Sequence, residues 1–242
     1  MAVRAFVYLL VFSALFCVEN PSAEPLRVAV AANFRHAFEQ IALAYKPADI
    51  EAVYGSSGLL YAQISQGAPF ALFLSADKKR PLELANNQLG DPESLTQYTR
   101  GLLVLWSVNG KANPQRLLSE RFAMPNPKIA PFGVAAKTCM QTLRLWGKTP
   151  QPIMGTSVAQ TFNFVASGAI TNAWVALSQT LQVKIAQQAL WRPPENCYQP
   201  IEQYALVLNT KRAQAAGALL RHLTSEKTQS WLQTQGYGAL PQ

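Results

Sequence analysis

The sequence predicts an α/β fold in which short apolar strands alternate with amphipathic helices. Residues 26–32 form an apolar run, and apolar side chains then recur at helical spacing over residues 34–45. The same order of strand and helix repeats after residues 50–54 and again after residues 71–74. Because such alternation is typical of parallel sheets with helices on their faces, we predict mainly parallel sheets.

The pattern continues through the second half of the chain, which suggests a second α/β unit beginning near residue 102. Further strands are predicted at residues 102–107, 128–130, 173–177 and 205–208. Further helices are predicted after Phe132, after Ser157, and near residues 214–223 and 226–235. The late elements could return to the first unit, so that a cleft separates two lobes and lies at the carboxyl ends of the strands.

Composition and charge limit the classes of function. The chain has 242 residues, of which 49% are hydrophobic and 14% are charged, as in one or two compact domains. The formal net charge is +8, which could attract anions over long range. However, the sequence contains no dense run of Lys and Arg interleaved with aromatic residues, and this argues against nucleic-acid binding.

The first 23 residues resemble a secretory signal peptide. Arg4 precedes an apolar run over residues 5–18, and small and polar residues follow up to Ala23, where we expect cleavage. The apolar run is too short to span a membrane comfortably. Cys17 follows the bulky Phe16, which argues against a lipoprotein anchor at that cysteine.

Cleavage would leave two cysteines, Cys139 and Cys197, separated by 58 residues. An even number of cysteines in an oxidising compartment permits one disulfide. Two buried free thiols are the alternative, because sequence alone does not give the distance between them.

Four predicted helices begin directly after a strand or turn, at Asn33, Ser57, Phe132 and Val158. The first turn of a helix has N–H groups without intrahelical acceptors and carries partial positive charge, which suits it to binding an anion. Four such starts facing one cleft would surround an oxyanion with neutral donors. The alternative is that Asn33, predicted as an N-cap, and the serines only cap their helices.

The same residues carry a resemblance to the periplasmic molybdate-binding proteins. The opening strand ends in Ala31-Ala32-Asn33-Phe34, and the second segment contains Gly55-Ser56-Ser57-Gly58. The order and spacing of the similar segments cover nearly the whole mature chain. These segments are residues 26–34, 54–64, 67–77, 126–136, 156–160, 174–179, 200–204 and 236–238.

The resemblance implies a two-lobed periplasmic binding protein of the type II-like class, with each lobe a mainly parallel sheet and the ligand cleft between them. It implies ligand contacts at Asn33, Ser57, Phe132 and Val158, the last two through backbone N–H groups alone. The ligand would be molybdate or tungstate, with molybdenum present only as the oxyanion and no other cofactor. Neighbouring positions would support the site: Ala32, Ser56, Ser157 and Ala176.

The resemblance also implies a cellular setting. The protein would be a monomer in the periplasm that delivers its ligand to the membrane permease of an ABC transporter. Lobes of this kind close by hinge bending. We place the first lobe at residues 24–100 plus 204–242, and the second at residues 101–203.

Departures from the family pattern, at Phe132, Thr156, Ser157, Ala176 and residues 147–155, leave the choice of anion open. Ala176 and Phe132 each stand where relatives have a Tyr, so both positions lack a hydroxyl. None of these departures removes a predicted backbone donor. A receptor for another small oxyanion, such as sulfate, is therefore an alternative.

An enzyme is the competing class, but its sequence signals are weak. The chain has only His36 and His222, and no metal-binding spacing of histidines. Ser75 and Lys78 fit the Ser-x-x-Lys pattern of serine acylases, yet we find no partner motifs for a serine hydrolase. We therefore predict that the protein is not an enzyme.

Overall fold

The computed structural model describes residues 24–183 and 185–241. The predicted signal peptide, residues 1–23, lies outside the described residues. Among those described, no helix is both long and apolar enough to cross a membrane.

The described chain contains strands and helices in alternating order. The strands are β1 Leu26–Ala31, β2 Ile50–Gly55, β3 Leu72–Leu74, β4 Thr96–Gly101, β5 Leu103–Ser107, β6 Phe122–Pro125, β7 Ile153–Gly155, β8 Asn172–Ala176, β9 Leu190–Trp191 and β10 Ile201–Val207. The α-helices are α1 Arg35–Ala44, α2 Ser57–Ser65, α3 Lys79–Asn86, α4 Pro131–Thr142, α5 Val158–Ala166, α6 Leu177–Thr180, α7 Ala213–Leu223 and α8 Glu226–Thr234.

The strands form two five-stranded sheets. The first has the order β2-β1-β3-β10-β4, and the second has the order β7-β6-β8-β5-β9. In the first sheet β2, β1 and β3 are parallel, whereas β10 is antiparallel to both β3 and β4. The second sheet repeats this arrangement, with β7, β6 and β8 parallel and β5 antiparallel to β8 and β9. Each sheet is therefore mixed, and the predicted parallel pairing covers three of its strands.

Alternate residues of the central strands pack on opposite faces, as the period of a strand requires. In β1, Val28 and Val30 pack with Phe34 and Phe38 on one face, while Ala29 packs towards α2 and α3 on the other. The second sheet divides in the same way. Leu105 and Trp174 pack in one cluster, and Val104 and Val175 pack in another. Strands β1, β5 and β8 are thus buried on both faces.

The chain passes between the sheets twice. Strand β4 ends at Gly101 in the first sheet, and β5 begins at Leu103 in the second. The chain returns through residues 192–200 to β10. Cys197 lies on this return path and is joined by a disulfide to Cys139 of α4, with 4.5 Å between the Cα atoms. The lobe limits of residues 24–100 plus 204–242 and residues 101–203 stay a prediction.

Two local predictions were wrong. Asn33 does not cap α1; it lies in a 3-10 turn over Ala32–Phe34, and α1 begins two residues later. Residues 128–130 are not a strand, because the N–H groups of Ile129 and Ala130 donate to the carbonyl of Asn126 and form a turn. The strand is β6, which ends three residues before residue 128 and pairs with β7 and β8.

Candidate functional site

The four predicted contact residues line one small cavity between the two sheets. Asn33 comes from the turn after β1, and Ser57 is the first residue of α2, directly after β2. Phe132 is the second residue of α4, and Val158 is the first residue of α5. The complete lining is Ala31, Ala32, Asn33, Gly55, Ser56, Ser57, Ala76, Ala130, Pro131, Phe132 and Val158.

The backbone N–H groups of these four residues are available for a ligand. Ser57, Phe132 and Val158 occupy the first two positions of their helices, where an N–H has no intrahelical acceptor. Within residues 24–183 and 185–241, none of these N–H groups, nor that of Asn33, donates to a protein acceptor. Because all four residues are at least 95% buried, their N–H groups need an acceptor in the cavity.

The Ser57 hydroxyl is oriented by a neighbouring strand end. Its Oγ accepts from the backbone N–H of Ala76 at 2.8 Å, and Ser57 is almost fully buried. A hydroxyl accepts through a lone pair and keeps its own hydrogen free to donate. The site therefore offers a fifth donor that depends on the Ser57 side chain.

The Asn33 side chain belongs to a buried chain of hydrogen bonds that sequence reasoning missed. Asn33 Nδ2 donates to Gln203 Oε1 at 3.0 Å, and the Tyr98 hydroxyl donates to the same oxygen at 2.9 Å. An amide NH₂ has two hydrogens, so Asn33 donates one to Gln203 and has a second that is free to donate. Gln203 is fully buried, but burial alternates along the first residues of β10. A polar residue on such a strand gives no sequence signal that its side chain lies inside, so Gln203 was missed.

Gln203 also carries a buried donor without a partner. Its Nε2 has no acceptor in the described part of the chain. This nitrogen lies 2.9 Å from the point where a Cβ on Gly101 would stand, and Phe132 Cζ lies 2.6 Å from the same point. The edge of the Phe132 ring is thus close to an unsatisfied N–H group.

The backbone carbonyl of Asn33 is held by two hydroxyls. The Tyr237 hydroxyl donates to it at 2.8 Å, and the Ser178 hydroxyl donates at 3.3 Å. Ser178 belongs to α6, directly after β8 of the second sheet, whereas Asn33 follows β1 of the first sheet. The turn that carries Asn33 is therefore tied to both halves of the molecule.

The predicted supporting residues act mainly on the backbone. Ser56 and Ser157 cap α2 and α5 by accepting from the N–H groups three residues ahead. Ala32 lines the cavity beside Asn33. Ala176 does not line the cavity, and its N–H donates to Gln179 Oε1 at 3.1 Å.

The cavity is neutral but has charged surroundings. None of its lining residues carries a charged side chain. A groove of about 440 Å³ adjoins it at Ala76 and Pro131. The charged residues of this groove are Asp77, Lys78, Lys79, Arg80, Lys128 and Glu202. Their excess of cations creates a positive approach to a site built of neutral donors.

The tyrosines behind the cavity stay protonated at ordinary pH. Burial raises the pKa of Tyr98 well above 10.0, and the nearby Tyr237 and Asp77 raise it further. Burial likewise raises the pKa of Tyr237, and the neighbouring Ser178 hydroxyl offsets part of that rise. Both hydroxyls therefore remain donors to Gln203 and Asn33.

Among the described residues, no hydrogen bond joins Ser75 to Lys78, the pair that fits the Ser-x-x-Lys pattern. The Ser75 hydroxyl contacts Asp77 Oδ1 at 3.4 Å, whereas Lys78 Nζ lies 5.2 Å from the centre of the Tyr204 ring. The described residues contain no group of three or more His, Cys, Asp or Glu side chains that could hold a metal ion.

Comparison with known proteins places this geometry in context. Residues 26–238 match the family described as bacterial extracellular solute-binding protein. The chain is 35% identical to the molybdate-binding protein ModA of Rhodobacter capsulatus over 219 residues, 86% of each chain. It is also 35% identical to ModA of Azotobacter vinelandii, over 89% of this chain and 90% of that protein.

Solved structures agree with the fold. The periplasmic molybdate-binding protein of Azotobacter vinelandii superposes with a TM-score of 0.83 at 34% identity, covering 90% of this chain and all of that one. The sulfate-binding protein SubI of Mycobacterium tuberculosis has a TM-score of 0.70 at 12% identity, covering 89% of this chain and 87% of that one, and so shares the fold alone.

Proposed function

Because the chain belongs to the family of bacterial extracellular solute-binding proteins, we propose that it binds molybdate and delivers it to an ABC importer. Tungstate, a tetrahedral dianion of the same kind, is the second ligand of the same site. The protein works as a monomer in the periplasm, after removal of residues 1–23, and its partner is the membrane permease of the importer.

The observation that carries this proposal is the set of free donors around one cavity. Four backbone N–H groups that have no acceptor in the described part of the chain line it together with the Ser57 hydroxyl; they belong to Asn33, Ser57, Phe132 and Val158. A buried dianion is stable only where its oxygens are hydrogen-bonded, and N–H donors at helix starts supply such bonds. An organic zwitterion such as an amino acid would need an acid for its amine, and no lining residue carries one.

Selectivity follows from the donors and from the size of the cavity. The five donors around the cavity favour a fully deprotonated dianion over a protonated phosphate, because the phosphate O–H gains no hydrogen bond from a donor. A cavity that fits molybdate would hold the smaller sulfate with longer hydrogen bonds. We therefore expect sulfate and phosphate to bind more weakly than molybdate.

The missing hydroxyls at Phe132 and Ala176 support a second candidate, a receptor for another tetrahedral oxyanion. Both residues are fully buried, so bulk water cannot supply a donor in place of either missing hydroxyl. In this candidate the four backbone donors stay the same and only the preferred anion changes.

Isothermal titration calorimetry of the mature protein tests the proposal. We expect one-to-one binding of molybdate, and competition by tungstate but not by equal concentrations of sulfate or phosphate. Binding should be lost when Asn33 and Ser57 are both changed to Ala. If sulfate binds as tightly as molybdate, the second candidate is favoured. If no tetrahedral oxyanion gives heat, both candidate functions are refuted.

A further inference from the structure

The start of α2 contacts the turn that precedes α4. The N–H of Gly58, the residue after Ser57, donates to the backbone carbonyl of Ile129 at 2.9 Å. Ile129 lies three residues before Phe132 in the chain. The hydrogen bond therefore joins the two segments that carry the Ser57 and Phe132 donors, one on each side of the cavity.

This contact leaves no room for a side chain at position 58. A Cβ on Gly58 would stand 2.7 Å from the Ile129 carbonyl oxygen and 2.9 Å from its Cα. It would also stand 3.1 Å from the guanidinium of Arg80, which is paired with Asp77. The first two neighbours are backbone atoms, so a rotamer change cannot relieve the contact.

The backbone conformation does not explain the glycine. Gly58 lies in helix α2 and its φ is not positive, so any L-residue could adopt its conformation. Alanine is the better helix former at such a position. The close approach to Ile129 is therefore the reason that a glycine suits this position.

The turn that presents the Ile129 carbonyl is held by its own hydrogen bonds. Asn126 accepts from Lys128 through its side chain at 3.0 Å, and its carbonyl accepts from Ala130 at 2.9 Å. The N–H of Asn126 donates to Gly155 at 2.8 Å. A shift of Ile129 would therefore displace the first turn of α4 and the Phe132 donor with it.

We propose that Gly58 sets the affinity of the anion site by allowing the two halves of the cavity to close, without itself contacting the anion. This inference rests on the proposed function. When the lobes separate, the contact with Ile129 is lost and a Cβ at position 58 meets no obstacle. A methyl group there opposes only the closed form, which is the form that surrounds the ligand.

Gly58→Ala tests the inference, with Gly217→Ala as a matched control. Gly217 also lies within an α-helix, and a Cβ there would meet only the guanidinium of Arg221, at an ordinary 3.6 Å. We expect Gly58→Ala to raise the dissociation constant for molybdate about 5- to 150-fold, the range that corresponds to the usual cost of overpacking. Gly217→Ala should leave it unchanged.

Two further measurements separate an effect on closure of the cavity from a general loss of stability in Gly58→Ala. The unfolding temperature of ligand-free Gly58→Ala should equal or exceed that of wild type, because alanine favours the helix. The ratio of tungstate to molybdate affinity should not change, because the anion donors are intact. A dissociation constant within twofold of wild type, or a loss of ligand-free stability equal to the loss of binding, would overturn the inference.

The titration of wild type separates a failure of the proposed function from a failure of the role of Gly58. Absence of molybdate binding by wild type would refute the proposed function, and this inference with it. Normal binding by both wild type and Gly58→Ala would refute only the role of Gly58.

Discussion

Replacing Ser57 by Ala removes a hydroxyl with two separate tasks. Its oxygen accepts from the buried N–H of Ala76 at 2.8 Å, and its hydrogen is free to donate into the cavity. The change adds no atoms, so it creates no overlap. It leaves the backbone N–H of residue 57 in place as a donor.

The two tasks predict two magnitudes. A hydrogen bond to a charged group contributes about 1.5–3 kcal/mol, which corresponds to a loss of affinity of roughly 10- to 150-fold. The orphaned Ala76 N–H lowers the free energy of unfolding of the ligand-free protein by about 1–3 kcal/mol. Binding and stability should therefore both fall.

Ser94→Ala is the control that separates these effects. The Ser94 hydroxyl accepts from the N–H of Val207 at 2.9 Å, and Ser94 does not line the cavity. We expect it to lower the free energy of unfolding by a similar amount, measured by urea denaturation, and to leave molybdate affinity unchanged in calorimetry. Unchanged affinity in Ser57→Ala, or equal losses of affinity in both variants, would refute the assignment of Ser57 as a ligand donor.

Three further predictions concern the surroundings of the site. Changing Cys139 and Cys197 together to Ser should lower the free energy of unfolding by about 4 kcal/mol, because the disulfide closes a 58-residue loop in the unfolded chain. Wild type in reductant should unfold at the same temperature as this double variant. Because burial raises the pKa of Tyr98, the protonated Tyr98 hydroxyl contributes its full stability below pH 10.0, and this stability is lost as pH rises above that value. Urea denaturation between pH 8 and 11 should show the free energy of unfolding falling. Tyr98→Phe should make this decrease smaller. Phe132→Tyr should raise the unfolding temperature by supplying an acceptor for the unpaired Gln203 Nε2, and a lower unfolding temperature would mean that the hydroxyl does not fit.

Local features of the fold could be predicted from sequence because their interactions span few residues. Ser56 and Ser157 each cap a helix by bonding a residue three positions ahead, so the serine and the helical spacing that follows it are sufficient signals. The strand at residues 128–130 was wrong for a related reason. Asn126 captures the nearby N–H groups, and this local competition outweighed a short apolar run.

The composition of the site was partly predictable, because helix starts carry free N–H groups wherever they occur. Ser57, Phe132 and Val158 were identified on that ground together with the family resemblance, and they line one cavity. The role of Asn33 was not predictable from spacing. Its side chain bonds Gln203, which is 170 residues away, rather than capping α1.

Strands β4, β7 and β9 were not predicted from the sequence. What the sequence determined by itself is six of the strands, three of the four helix starts and their donor groups, because hydrogen bonds between near neighbours and hydrophobic period decide them. The tertiary structure alone decided which of these meet. Strand β10 enters the first sheet antiparallel between β3 and β4, and this insertion buries Gln203 beside Asn33. It likewise brought Gly58 against Ile129 and Cys139 to Cys197. Such pairings depend on the burial of whole faces across distant segments, and no local pattern encodes them.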